Sequence, residues 1–138
     1  MWTYPVELVE AADGVTVSFP DIPEAITHGA DIEEAMARAV DALETALEMY
    51  VAAGQDIPRP SKAKRAQSTV EPELLFSMKL HLYQGMRDRN VRKAQLARDL
   101  NWHLPQVDRV LNLHHESRLD QMEAALKAIG KKVELSVH

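Results

Sequence analysis

The chain has 138 residues, no cysteine and a formal net charge of -5; 46% of its residues are hydrophobic and 27% charged. That length allows one ordinary domain or two small ones, and the composition excludes a disordered chain. The lack of thiols excludes disulfides and thiolate metal sites, and the lack of a long apolar run excludes a membrane-spanning helix.

Tyr4–Ala11 and Val15–Phe19 read as two strands joined at Asp13-Gly14, a dipeptide that tolerates positive φ at both positions. Val15, Val17 and Phe19 alternate with Thr16 and Ser18, which gives the second strand one apolar face. PDIP at 20–23 breaks the chain, and Ala25–His28 reads as a third strand ending at Gly29. Asp31–Ala53 is the clearest helix. Asp31 stands at its N-cap with Glu34 three residues on, and Ile32, Met36, Ala39, Val40, Leu43, Leu47, Tyr50 and Val51 form an apolar stripe. Gly54 is the expected stop.

Residues 54–68 carry proline and lysine with little apolar content and read as a linker; a short piece at Thr69–Glu71 then returns to the sheet. Glu73–Arg89 is helical and apolar on two sides. Leu75, Met78, Leu82 and Met86 make one row, and Phe76, Leu80 and Tyr83 make another, expected to face a second subunit. Arg92–Leu100 and Leu104–Leu113 are two short helices, and Leu119–Ile129 is a third, ended by Gly130. Val133, Leu135 and Val137 alternate in a terminal strand. A lone strand needs a partner, and the expected one is the same strand of a second chain.

Charge is divided along the chain. Met1–Pro60 holds 12 acidic residues and only Arg38 and Arg59 as bases; Ser61–His138 holds 14 basic residues and nine acidic ones. Such asymmetry suggests two partners of opposite charge. The basic half contains the spacing of a helix-turn-helix: Ala97 as the small contact residue, Asn101 in the left-handed turn, and Val107, Val110 and Leu111 anchoring the second helix. Gln106 and Arg109 would project toward base edges, and Leu104 toward a thymine methyl. His103 at the helix start, with Arg92 and Lys93, would hold phosphates. Asp108 departs from this pattern, since a carboxylate on the reading helix repels phosphate unless it is paired.

Asp13, Asp21, Asp31, Glu33 and Glu34 invite a magnesium-dependent reading. A turn explains Asp13, a proline loop Asp21, and a helix start Asp31 and Glu34, and the six histidines show no zinc spacing. No nucleophile elbow or phosphate loop is present. No catalytic residue, metal or cofactor is therefore expected.

The stretch ADGVTVSFPDIPEAITHGADIEEAMARAVDALETALEMY at 12–50 resembles the N-terminal domain of the HicB antitoxins of bacterial toxin–antitoxin pairs. The shared pattern is Asp13-Gly14, Phe19-Pro20-Asp21 with Pro23, Gly29, Glu34-Ala35 and, in the linker, Ile57-Pro58. Residues 82–137 look like the helix-turn-helix tail that some members carry. Glu24-Ala25 departs from the family's Gly-Cys pair, and Asn101-Trp102 from the commoner Gly-Val. The resemblance implies an α+β protein with a truncated ribonuclease-H-like domain lacking catalytic residues. It also implies a cytoplasmic, non-enzymatic antitoxin that covers a small basic mRNA-cleaving toxin, HicA, and represses its own operon. The expected layout is a toxin-binding domain at 1–60, a linker at 61–72, and a DNA-binding and dimerisation domain at 73–138. Asp13, Asp21, Glu33, Glu34 and Asp41 are the candidate toxin contacts. Phe76, Leu80, Tyr83, Val133, Leu135 and Val137 are the candidate homodimer contacts, and a dimer of readers implies a palindromic operator. The alternative is a ligand-sensing repressor whose sheet domain binds a small molecule; a nuclease dependent on Asp13 or Asp21 is the third reading.

Overall fold

A two-residue reversal at Ala12-Asp13 folds the first apolar segment back on itself. The structure, a computed structural model, describes residues 1–138. It contains five helices and two small antiparallel sheets. One sheet pairs β1 (Tyr4–Pro5) with β5 (Thr69–Val70); the other has the order β2 (Glu7–Ala11), β3 (Gly14–Ser18), β4 (Ile26–Gly29).

The turn falls one residue earlier than the Asp13-Gly14 pattern suggests, because Ala11 pairs with Gly14. Gly14 is already in β3, at φ +138, and a Cβ there would lie 2.3 Å from the Gly29 carbonyl oxygen. The glycine is required by a close approach between β3 and β4 as well as by its backbone angle.

The single first strand expected over Tyr4–Ala11 is two strands in two sheets. Val6 interrupts it: its N–H donates to the Ser68 carbonyl at 3.0 Å, and its carbonyl accepts from Gln67 Nε2 at 3.3 Å. The returning segment thus takes the backbone groups that β3 would otherwise have bonded.

In the three-stranded sheet Val15, Val17 and Phe19 are buried, and so are Ala35, Ala39, Leu43, Ala46 and Leu47 of α1 (Ile32–Ala52), the helix against the sheet. Asp31 caps α1 by accepting from Glu34 N at 2.8 Å. Gly29 is buried under the first turn of α1, where a Cβ would meet Ala35 N at 2.4 Å. The opposite face of the sheet carries Val9, 62% exposed, and Ile26, at the start of the edge strand β4, is equally exposed. Its two edges, β2 and β4, have no strand beyond them.

Residues 54–68 have no regular structure, yet they are not a free tether. Ile57 is buried. Tyr4 Oη donates to the Pro58 carbonyl at 2.7 Å, and Asp21 accepts from Ser61 N at 2.7 Å and Ser61 Oγ at 2.5 Å. The expected linker is a strap along the N-terminal unit. Burial, with the Asp21 carboxylate nearby, pushes the Tyr4 phenol above its usual range, so it stays protonated and keeps donating.

The chain divides into Met1–Ser77 and Met78–His138, a boundary inside α2 (Leu74–Asp88). In the first unit the Glu44 carboxylate accepts from Glu73 N at 2.8 Å, at the start of α2. The second unit holds the rest of α2 with α3 (Lys93–Leu100), α4 (Leu104–Leu111) and α5 (Leu119–Ala128). Its core is Leu80, Leu82, Leu96, Val107, Val110, Met122, Leu126 and Ile129, all 3% exposed or less.

Phe76 and Leu80, 7% and 0% exposed, are buried within the single chain, so they are not a face open to a second subunit. Tyr83 is half-buried, with the Arg87 guanidinium 5.8 Å from its ring centre. Residues 131–138 have no regular structure in the single chain, and no ladder forms at the expected terminal strand. Leu135 and Val137 are more than 80% exposed there.

Candidate functional site

Each unit offers one candidate surface. The first is a groove of about 370 Å³ between β4 and α1, lined by Glu24, Ile26, Thr27, Arg38, Asp41, Ala42, Thr45, Ala46 and Met49. Helical spacing from Arg38 through Asp41 and Thr45 to Met49 aligns one face of α1 along it. Ile26 and Met49 (58%) are both largely exposed, so the groove offers apolar anchors beside acid. Glu24 accepts from Tyr50 Oη at 2.7 Å; that hydrogen bond raises the phenol's pKa. Arg38 is spent locally, on Glu34 at 2.8 Å and on the His28 carbonyl at 3.1 Å.

The five acidic residues singled out in the sequence do not all stand on one element. Asp41 lines the groove, and Glu34 stands one turn before Arg38 in an ion pair. Glu33 is exposed in the first turn of α1. Asp13 is exposed in the β2–β3 turn, where its carbonyl accepts from His28 Nε2 at 3.2 Å while His28 Nδ1 accepts from Thr16 Oγ1 at 3.2 Å. Asp21 holds the strap through both carboxylate oxygens. No group of three or more His, Asp or Glu side chains comes together in a way that could hold a metal ion. Glu24, Ile26 and Met49 were missed in the sequence. The β4 positions carry no periodicity that separates them from core, and Met49 falls just off the apolar stripe of α1.

The second surface is α3, its turn and α4. Asn101 takes the left-handed conformation, φ 55 and ψ 43, and its N–H closes on the Ala97 and Arg98 carbonyls. Leu96, Ala97, Val107 and Val110 are buried as their spacing requires. Arg92, His103 and Arg109 are exposed, and Leu104 is 49% exposed.

Two of the expected reading residues are engaged within the protein. Lys93 Nζ lies 2.8 Å from the Asp108 carboxylate, an ion pair that ties α3 to α4 and accounts for an acidic residue on the second helix. Gln106 is half-buried, and its side-chain carbonyl accepts from His103 N at 2.8 Å, closing the start of α4.

The sequence reading also overlooked Lys79. It is fully buried, and its ammonium donates to the Arg109 carbonyl (2.9 Å), the Val110 carbonyl (3.2 Å) and Ser117 Oγ (2.7 Å). Burial holds its pKa down at about 8. The signal was a lysine between Met78 and Leu80 in a helix apolar on two sides, a position where a charge needs an internal partner.

Residues 3–81 match the family of HicB-like antitoxins of bacterial toxin–antitoxin systems. The chain is 37% identical over 133 residues to Antitoxin HicB of Escherichia coli, covering 96% of each. It is 38% identical over 132 residues to Antitoxin HicB 2 of Photorhabdus laumondii, covering 96% of this chain and 94% of that one. It is 36% identical over 138 residues to Antitoxin HicB of Pseudomonas fluorescens, covering 99% and 94%. No helix is long and apolar enough to cross a membrane. The chain belongs to the HicB-like antitoxin family of bacterial toxin–antitoxin systems.

Proposed function

We propose that the protein is a cytoplasmic, non-enzymatic antitoxin with two separate binding surfaces. The Met1–Ser77 unit neutralises a small basic toxin of the HicA kind, and the Met78–His138 unit represses its own operon through α3 and α4 as a helix-turn-helix. The observation that carries this reading is the division of charge between the two units. The first has 14 acidic residues against five basic ones, and the second 11 basic against seven acidic. An acidic field speeds encounter with a basic protein and repels nucleic acid, whereas a basic one favours the phosphate backbone.

In this reading the toxin docks on the groove between β4 and α1. Ile26 and Met49 are its apolar anchors and Asp41 and Glu24 its acidic rim, with Glu33 and Asp13 supplying longer-range field. On the DNA side Arg109 reads a base edge, Leu104 meets a thymine methyl, and Arg92 and His103 contact phosphate. Lys93 ties α3 to α4, and Gln106 closes the start of α4. The exposed residues Val133, Leu135 and Val137 pair with the same segment of a second copy, which sets two readers on a palindromic operator.

Two variants of the full chain test the separation. Asp41→Lys with Met49→Glu should abolish capture of the toxin and leave operator affinity unchanged. Arg109→Ala should weaken operator binding by about 1–3 kcal/mol and leave toxin capture unchanged. A variant that loses both partners while still folded would contradict two independent surfaces.

A further inference from the structure

The hydrogen bonds of the Lys79 ammonium go to the C-terminal end of α4 and to Ser117, in the connection between α4 and α5. Its three hydrogens meet three acceptors: the Arg109 carbonyl, the Val110 carbonyl and Ser117 Oγ. No carboxylate takes part. A helix end carries carbonyls without intrahelical partners and a partial negative charge, so a cation there is favoured. The Ser117 hydroxyl extends the arrangement, lying 3.2 Å from the Arg109 carbonyl and 2.9 Å from His115 Nδ1.

Burying an unpaired ammonium is costly, and an apolar side chain would fill the same space at lower cost. What the lysine adds is direction. Arg109, the exposed side chain assigned to base reading, has its own carbonyl held by a group on α2. Two adjacent carbonyls of the last turn are held, so this end of an eight-residue helix is fixed against α2, while Asp108 ties the helix to α3.

We propose that Lys79 is a positioning residue for DNA reading: it pins the C-terminal end of α4 to α2 and so aims Arg109, although no atom of Lys79 reaches the surface. This rests on the reading of α3 and α4 as a helix-turn-helix. A reader held in one orientation discriminates between sequences through base edges, while phosphate contacts bind any duplex. Loss of the pin therefore acts on selectivity before it acts on affinity for DNA in general.

The test uses the full chain and two labelled duplexes of equal length, one from the region upstream of its own gene and one unrelated. Anisotropy titrations give affinity for both, and far-UV circular dichroism shows whether each variant is folded. Lys79→Met should lower affinity for the upstream duplex at least tenfold and change affinity for the unrelated duplex less than threefold. A folded Lys79→Met protein with an unchanged ratio of the two affinities would overturn the proposal. If that variant does not fold, Ser117→Ala decides: it removes one acceptor and must reduce the ratio severalfold, and an unchanged ratio overturns the role. A wild-type protein without preference for the upstream duplex would overturn the DNA-reading assignment itself, and the role of Lys79 with it. That failure is distinct, because it shows before any variant is made.

Discussion

His81 lies on α2 two residues from Lys79, and burial holds its pKa down at about 4 against an ordinary 6.5. Between those values the unfolded chain binds a proton that the folded chain refuses, so stability falls as pH drops through that window. Urea unfolding at pH 7 and at pH 4.5 should show a smaller acid loss for His81→Gln than for the wild type; equal losses would contradict the assignment. Gly29 makes a steric prediction. A Cβ there would stand 2.4 Å from Ala35 N, so Gly29→Ala should cost about 1–3 kcal/mol as α1 is pushed off the sheet. An unchanged denaturation midpoint would show that the helix can shift freely. Neither effect can be read from residue type alone. The sequence marks Gly29 as a strand end, but only the register beside α1 shows why the position cannot carry a side chain.

Local pattern located the helices well, because caps and apolar spacing are properties of neighbouring residues. Asp31 caps α1, Asn101 takes the left-handed turn, and Gly130, φ +80, follows α5. Strand limits fared less well. Val6 divides the first strand because a segment more than sixty residues later takes its backbone groups, and nothing near Val6 announces that. The strap was misread for a similar reason. Its composition is that of a linker, yet Tyr4 and Asp21, both far away in sequence, hold it down. Asp21→Ala should therefore speed tryptic cleavage at Lys62, Lys64 and Arg65 while leaving α1 intact. An unaltered cleavage rate would mean that Ile57 and Tyr4 suffice to hold the strap. The candidate interfaces were partly visible. Exposed Arg109 and Leu104 follow from helical spacing, and the cap that Gln106 makes to His103 is local too, whereas the engagement of Lys93 by Asp108 depends on how two helices meet.

The protein as a whole separates its charges, an acidic excess in Met1–Ser77 and a basic excess in Met78–His138, and the proposed function supplies a reason. On that proposal the chain binds a basic protein and a polyanion, and one field cannot serve both. Burial within α2 also limits how two copies could associate. Phe76 and Leu80 already lie in the interior, which leaves the exposed Leu135 and Val137 as the apolar residues of the tail most available to a second chain. The central claim is that the acidic unit exists to hold a small basic toxin. It is tested most directly by passing native-host lysate over the tagged full-length protein at low and high salt and determining the mass of what remains. The account predicts one stoichiometric basic protein of under about a hundred residues, the size of a small domain, retained less well as salt screens the field. Recovery of DNA with no such protein would contradict it.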